Sequence, residues 1–207
     1  MTGIYDERAA RKAYVRRRQT AVFSITVACM VVALVISLLF YFHIFGLGEP
    51  QTAENQPNHG VTVACAVPDS SGTAKYVDTS AVHVRVLNGT QHSGFARAVG
   101  EALTNRGFTV ENVANYQKTD VKRTVIYYGK NAINEAYTLN DNFTDAVMRM
   151  DDRQDKLIDV VLGATFDNLK TKSRVLGKGA KIANIDGCVD GSKMTSLPKA
   201  LTHDPVN

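Results

Sequence analysis

Charge of either sign is missing from residues 21–47, AVFSITVACMVVALVISLLFYFHIFGL. About 20 apolar residues are enough to cross the hydrocarbon core of a bilayer. Net charge is missing from most of the rest. Residues 1–20 hold six basic side chains (Arg8, Arg11, Lys12, Arg16, Arg17, Arg18) and two acidic ones (Asp6, Glu7), which accounts for the whole formal charge of +4. The remaining residues carry 18 groups of each sign. A balanced body excludes nucleic acid as the main partner, because phosphate binding needs positive charge clustered on the fold. The chain has no C-x-x-C pair and no His cluster, so no metal centre is expected. It has neither G-x-G-x-x-G nor a Gly-Lys-Ser/Thr loop, so neither a dinucleotide nor a P-loop site is expected, and no cofactor.

What is present first is a membrane segment. The apolar run is too long for the core of a cleaved signal peptide, and no small-residue cleavage site follows it directly. Residues 21–47 are therefore read as an uncleaved transmembrane helix in contact with the lipid bilayer. Ser24, Thr26 and Ser37 can bond back to the helix backbone, and Tyr41 and His43 fall near its far end. Six basic residues precede the run, and no Lys or Arg follows it before Lys75. The positive-inside rule then makes residues 1–20 a cytoplasmic basic tail and puts everything after the helix outside the cell membrane. The tail either sets topology only, lies on anionic head groups, or signals inward.

Residues 48–79, punctuated by Pro50, Pro57 and Pro68, read as a spacer with one short apolar piece, Val61 to Val67. Of three cysteines, Cys29 lies in the apolar run. Cys65 and Cys188 bracket the region that follows, and outside the cell such a pair tends to oxidise. A Cys65–Cys188 disulfide is expected; two free or intermolecular thiols are the alternative.

Regular patterning starts at Ser80. Val82, Val84 and Val86 alternate with polar neighbours as in a strand. Phe95, Val99 and Leu103 recur at helical spacing, with Ser93 as the expected N-cap and Gly107 as the stop. Phe108 to Val110 with Val113, and Thr124 to Tyr128, read as strands. Asn131 to about Met148 reads as a second helix with Phe143 and Val147 on its buried side. Leu157 to Gly163 reads as a strand buried on both faces, and Ala164 to Leu169 as an added helical turn. The order is βαββαβ, an α/β (α+β) sandwich over residues 80–190, with helices on one face of a sheet. Residues 191–207 are expected to be a flexible tail.

The stretch VHVRVLNGTQHSGFARAVGEALTNRGFTV, followed by TVIYYG and DVVLG, resembles the LytR C-terminal domain family. Members show V-x-V-L-N-G-T at a strand end, S-G-x-A at the helix start, G-F-x-V in the next strand, then I-x-Y and V-x-L-G. The resemblance spans residues 81–169. The layout of basic tail, membrane helix, linker cysteine and this domain is similar to that of actinobacterial envelope-integrity proteins. In the wider family the domain often follows a catalytic domain that transfers glycopolymers to peptidoglycan, for which 207 residues leave no room. The resemblance implies a non-catalytic part in cell envelope integrity.

The sharpest local feature is the loop Asn88, Gly89, Thr90 to Ser93, Gly94. A loop between strand and helix leaves N–H groups that can bind an anion or sugar hydroxyls; otherwise these residues simply make the turn and cap the helix. Tyr116 can stack on a sugar ring. Asp151, Asp152, Arg153, Asp155 and Asp159 concentrate charge and read as a solvated loop. His92 and Ser93 are chain neighbours and make a poor catalytic pair. Two functions remain: a membrane-anchored module that binds an envelope polymer or a cell-wall biosynthesis protein, and an enzyme of cell-wall glycan or lipid-carrier processing that uses the Asn88–Gly94 loop.

Overall fold

In the computed structural model, residues 7–41 and 56–206 can be described, and they fall into two separate units. The first is helix α1, Glu7–Tyr41. Within it, in Tyr14–Leu38, an 18-residue window reaches a mean hydropathy of 2.7, long and apolar enough to cross a membrane. Ser24 and Thr26 donate back to Ala21 O and Val22 O, at 3.0 and 2.9 Å, as expected of hydroxyls in an apolar helix. The helix continues without a break into the basic residues before it. His43 and the end of the apolar run lie outside the described residues.

The second unit is built on β1 (His83–Asn88), α2 (Phe95–Thr104), β2 (Thr109–Asn115), β3 (Thr124–Tyr128), α3 (Ile133–Asn140), β4 (Ala146–Met150) and β5 (Leu157–Leu162). The five strands form one sheet in the order β2-β1-β5-β3-β4. Two parallel β-α-β crossovers, β1-α2-β2 and β3-α3-β4, are joined by β5, which runs parallel to β1 and antiparallel to β3. The mixed α/β class read from the sequence is the class observed.

Valine and methionine alternation decides which face of the sheet is packed. Val84, Val86, Ile126, Tyr128, Met148, Met150, Ile158 and Val160 all point into one core with Val99, Leu103, Ile133 and Ala136 of the helices. Gly107, at φ +89°, turns the chain back after α2, as its position after the helix predicts.

The second helix is shorter than expected. Phe143 and Val147 match a helical spacing, but α3 stops at Asn140, where Asn140, Asp141 and Asn142 favour a turn. Beyond it Met148 and Met150 face inward and Arg149 outward, a period of two, and the segment pairs with β3 as a fifth strand. Ala164 to Leu169 forms turns, not a helical turn.

The expected spacer contributes to the core from residue 61 onward. Val63, Ala64, Ala66 and Tyr76 are buried. Ala64 bridges to Val189, with Cys65 N–H donating to Val189 O and Val189 N–H to Val63 O. Ala64 also accepts from the Tyr137 hydroxyl and donates to the Tyr128 hydroxyl. This pairing brings Cys65 and Cys188 together in the expected disulfide, with Cα atoms 5.0 Å apart. Apolar content outweighs proline punctuation here: Val61 to Val67 can bury area, and the prolines only bound it.

The end of the chain, expected to be flexible, is held by hydrogen bonds to backbone and side-chain groups. Asp152 N–H donates to Pro198 O, Ala200 N–H to Asp152 Oδ1 and Lys156 N–H to Val206 O. The stretch lies beside Arg85 and Leu157, on the sheet face that the helices leave open.

Candidate functional site

The Asn88–Gly94 loop starts where β1 ends, beside the C-terminal end of β2. Asn88 and Thr90 are buried. The Asn88 side chain brackets the turn: Nδ2 donates to His92 O at 2.8 Å, and Oδ1 accepts from the Thr90 N–H and hydroxyl at 3.1 and 2.9 Å. Thr90 Oγ1 in turn accepts from His92 N–H. Gly89 fits because nothing larger does; a Cβ there would sit 2.6 Å from Leu162 O. These three residues therefore build the turn.

Ser93 and Gly94 are exposed. Ser93 does not cap α2 as expected. The N-cap is Gly94, at φ +78°, and no side chain bonds to the helix start. A left-handed turn that glycine tolerates replaces the side-chain cap. Tyr116 is brought to the same place, since its N–H donates to Asn88 O at 2.9 Å and its ring is half-buried. It lies near Tyr127, whose hydroxyl pKa is pushed up chiefly by burial.

Sequence reasoning missed an aromatic row at this end of the sheet. His92 meets Phe95 edge-on at 6.3 Å, Phe95 meets Phe166 at 5.5 Å, and Phe166 meets Phe143 at 5.7 Å. The row runs from exposed His92 to buried Phe143, with Phe95 and Phe166 half-exposed between them. The available signal was Phe166 following the V-x-L-G strand. With Ser93 and Gly94, the loop thus offers polar groups and ring faces side by side, a combination suited to a sugar or a peptide.

The acidic cluster is not a solvated loop. Asp151, Arg153 and Asp159 are buried, at 1%, 4% and 0% exposure. Arg153 donates through Nε and Nη2 to Asp151, through Nη2 to Asp159 at 2.8 Å and through Nη1 to Leu157 O. Arg85 reaches Asp159 from the neighbouring strand. Burial opposes the Arg153 charge, but hydrogen bonds and the charges of Asp151 and Asp159 more than offset this and raise its pKa. Charge matching lets Asp151, Asp159 and Arg153 be buried together, with Arg85 partly buried beside them; a count of carboxylates along the chain does not reveal it. Asp155 turns outward from this group to His203, at 2.9 Å. Among the described residues no group of three or more His, Cys, Asp or Glu could hold a metal ion.

Residues 81–166 match the family described as the LytR cell envelope-related transcriptional attenuator. That range covers β1 to the start of the turns after β5, and it contains the Asn88–Gly94 loop, Tyr116 and Phe166. Residues 81–166 thus match the LytR C-terminal domain family, in line with the resemblance that the motifs carry, and that family is described as related to the cell envelope. No curated protein matches the chain. Among solved structures, it is similar to the soluble domain of a conserved hypothetical secreted protein, an Rv2700 ortholog, from Mycobacterium marinum. Identity is 26%, over 47% of this chain and 69% of that one, with a TM-score of 0.41.

Proposed function

We propose that this is a single-pass membrane protein of an actinobacterial envelope, with its N-terminus in the cytoplasm and its LytR C-terminal domain outside, that supports envelope integrity by binding and not by catalysis. Its target on this reading is an envelope polymer or a cell-wall biosynthesis protein. The apolar helix and the preceding basic residues support the anchor and its orientation.

The observation that carries the binding reading is how the loop uses its side chains. Asn88 and Thr90 are committed to hydrogen bonds that hold the turn, and Asp151 and Asp159 are each held by arginine. General acid–base work needs a group free to exchange a proton with substrate. The exposed Ser93, Gly94 and His92 and the half-buried Tyr116 ring beside the turn are contact groups on this reading.

The test is complementation of a deletion strain under wall-targeting antibiotic or detergent stress. The deletion is expected to sensitise the cells, the wild-type gene to restore tolerance, and Ser93→Ala, which removes one contact hydroxyl, to restore it only in part. Wild-type tolerance in the deletion strain would overturn the envelope role. Turnover of a cell-wall glycan or lipid-linked glycan by the purified full chain would overturn the non-catalytic reading.

A further inference from the structure

The charge balance of the body hides a polarity. Residues 21–166 carry 11 basic and 14 acidic groups, and residues 167–207 carry seven and four. The excess is concentrated in residues 170–181, KTKSRVLGKGAK, with five Lys or Arg and no acid.

The structure fixes this segment across the surface. Arg106 holds its start by donating to Lys170 O at 2.7 Å, and Leu176 N–H donates to Asp141 Oδ2. Its far end pairs with residues 74–76: Tyr76 N–H donates to Ala180 O, and Ile182 N–H to Ala74 O. Those bonds flank the bridge between Lys75 and Lys181. Directly opposed residues between flanking bonds have the closer side-chain spacing of an antiparallel pair, and like charges placed there repel.

The nearby acids neutralise the segment only in part, pairing two of its five cations. Asp69 pairs with Lys75, Asp78 with Lys178 and Asp141 with Lys170. Lys172 donates to the carbonyl of Asn105 at the end of α2, which suits a cation at a helix C-terminus. Among the described residues, no carboxylate lies within ion-pair distance of Arg174 or Lys181, and both are exposed.

Resting on the binding role proposed above, we infer that this stripe, centred on Arg174, Lys178 and Lys181, is a docking surface for a polyanionic envelope polymer. The cations lie on a surface segment made of a helical turn, Lys172–Arg174, and a tight turn closed by Ala180 N–H donating to Gly177 O, and such a basic patch suits a chain of repeated negative charges. It carries no aromatic residue and only one exposed large apolar side chain, Leu176, to enter a bilayer. Electrostatic complementarity of this kind sets partner choice and speeds encounter.

The experiment uses the full chain in phosphatidylcholine nanodiscs, with inorganic polyphosphate as the polyanion and dextran as an uncharged polymer. The wild type is expected to bind polyphosphate and not dextran, and to weaken as salt is raised. Combining Arg174→Gln, Lys178→Gln and Lys181→Gln is expected to weaken polyphosphate binding about tenfold, from three exposed contacts. Lys118→Gln, Lys130→Gln and Lys156→Gln together remove the same charge elsewhere and are expected to leave binding unchanged. Oxidised Cys65–Cys188 and an unchanged circular dichroism spectrum establish that both triples are folded. The inference is overturned if the first triple binds like the wild type, if the second loses as much, or if the stripe binds phosphatidylglycerol vesicles but not polyphosphate. The deletion phenotype is a separate readout, so the envelope role can stand when the stripe fails.

Discussion

Arg85 on β1 and Asp159 on β5 meet across adjacent parallel strands, with Nε to Oδ1 at 2.6 Å and Nη2 to Oδ2 at 2.9 Å. This two-pronged contact is the geometry in which a guanidinium and a carboxylate fit best. Arg153 bonds the same carboxylate. Removing Asp159 therefore leaves two arginines without their shared partner inside the fold.

Asp159→Ala is expected to destabilise the domain by about 3–5 kcal/mol, the usual cost of breaking a buried ion pair from one side. Arg97→Ala, which removes an exposed pair with Glu101 on α2, is expected to cost about 0.5 kcal/mol or less. Urea denaturation of the detergent-solubilised chain, followed by tyrosine fluorescence, separates the two. Equal effects would contradict the buried network.

The disulfide closes a sequence separation of 123 residues. By the loop-entropy argument, its reduction, or Cys65→Ser with Cys188→Ser, is expected to remove about 4–5 kcal/mol. The same denaturation experiment with and without reductant measures this.

Two glycines give opposite predictions. A Cβ on Gly129 would lie 2.3 Å from Arg153 O, a backbone atom that cannot swing away, whereas Gly177 has open space around it. Gly129→Ala is expected to cost at least about 1–3 kcal/mol through overpacking. Gly177→Ala is expected to change stability by no more than about 0.5 kcal/mol. Thermal unfolding midpoints of the two variants test the contrast.

Asn58 guards the β4 edge of the sheet. Its Nδ2 donates to Met148 O and its Oδ1 accepts from Met148 N–H, both at 2.8 Å, so a side-chain amide stands in for a neighbouring strand. Asn58→Ala is expected to leave both groups without that partner and to promote edge pairing between chains. Sedimentation at increasing protein concentration would register the self-association; a strictly monomeric variant would argue against the guarding role.

Asp78 accepts from the Ser80 N–H and hydroxyl and faces Lys178, and together these hold its pKa down at about 2, against an ordinary 3.8. A depressed carboxylate contributes stability above its unfolded pKa and loses that contribution as pH falls through the folded one. Between pH 3.8 and about 2, Asp78→Asn is expected to flatten a small part of the acid-induced loss. The carboxyl carbon shift of Asp78 in an NMR titration reports the midpoint directly.

The α/β class was legible because Val82, Val84 and Val86 announce a strand and Phe95, Val99 and Leu103 announce a helix. Each pattern is local, and the core agrees with it. β4 was hidden because Phe143 and Val147 satisfy a helical spacing while Met148 and Met150 satisfy a strand, and only pairing with β3 decides between them. The buried charges were hidden for a related reason. Asp151 and Arg153 look solvated until Asp159 and Arg85, distant in sequence, close around them. At the loop, Asn88 to Thr90 were read either as a ligand site or as turn-formers, and the side chains of Asn88 and Thr90 hold the turn. Phe95 and Phe166 come together only through the fold.

The Cys65–Cys188 bond also determines how the domain would carry a mechanical load. A pull transmitted along the chain from α1 meets the two Asn58 bonds to β4 first and, once these give, reaches Cys65 before β1, which begins at His83. Tension between the two ends of the chain then crosses the sulfur–sulfur bond to Cys188 and leaves the intervening ring, with all five strands, slack. Apart from the hydrogen bonds that Asn58 and the C-terminal stretch make to it, the sheet is loaded when the force is applied at a point inside that ring, and residues 170–181 are inside it.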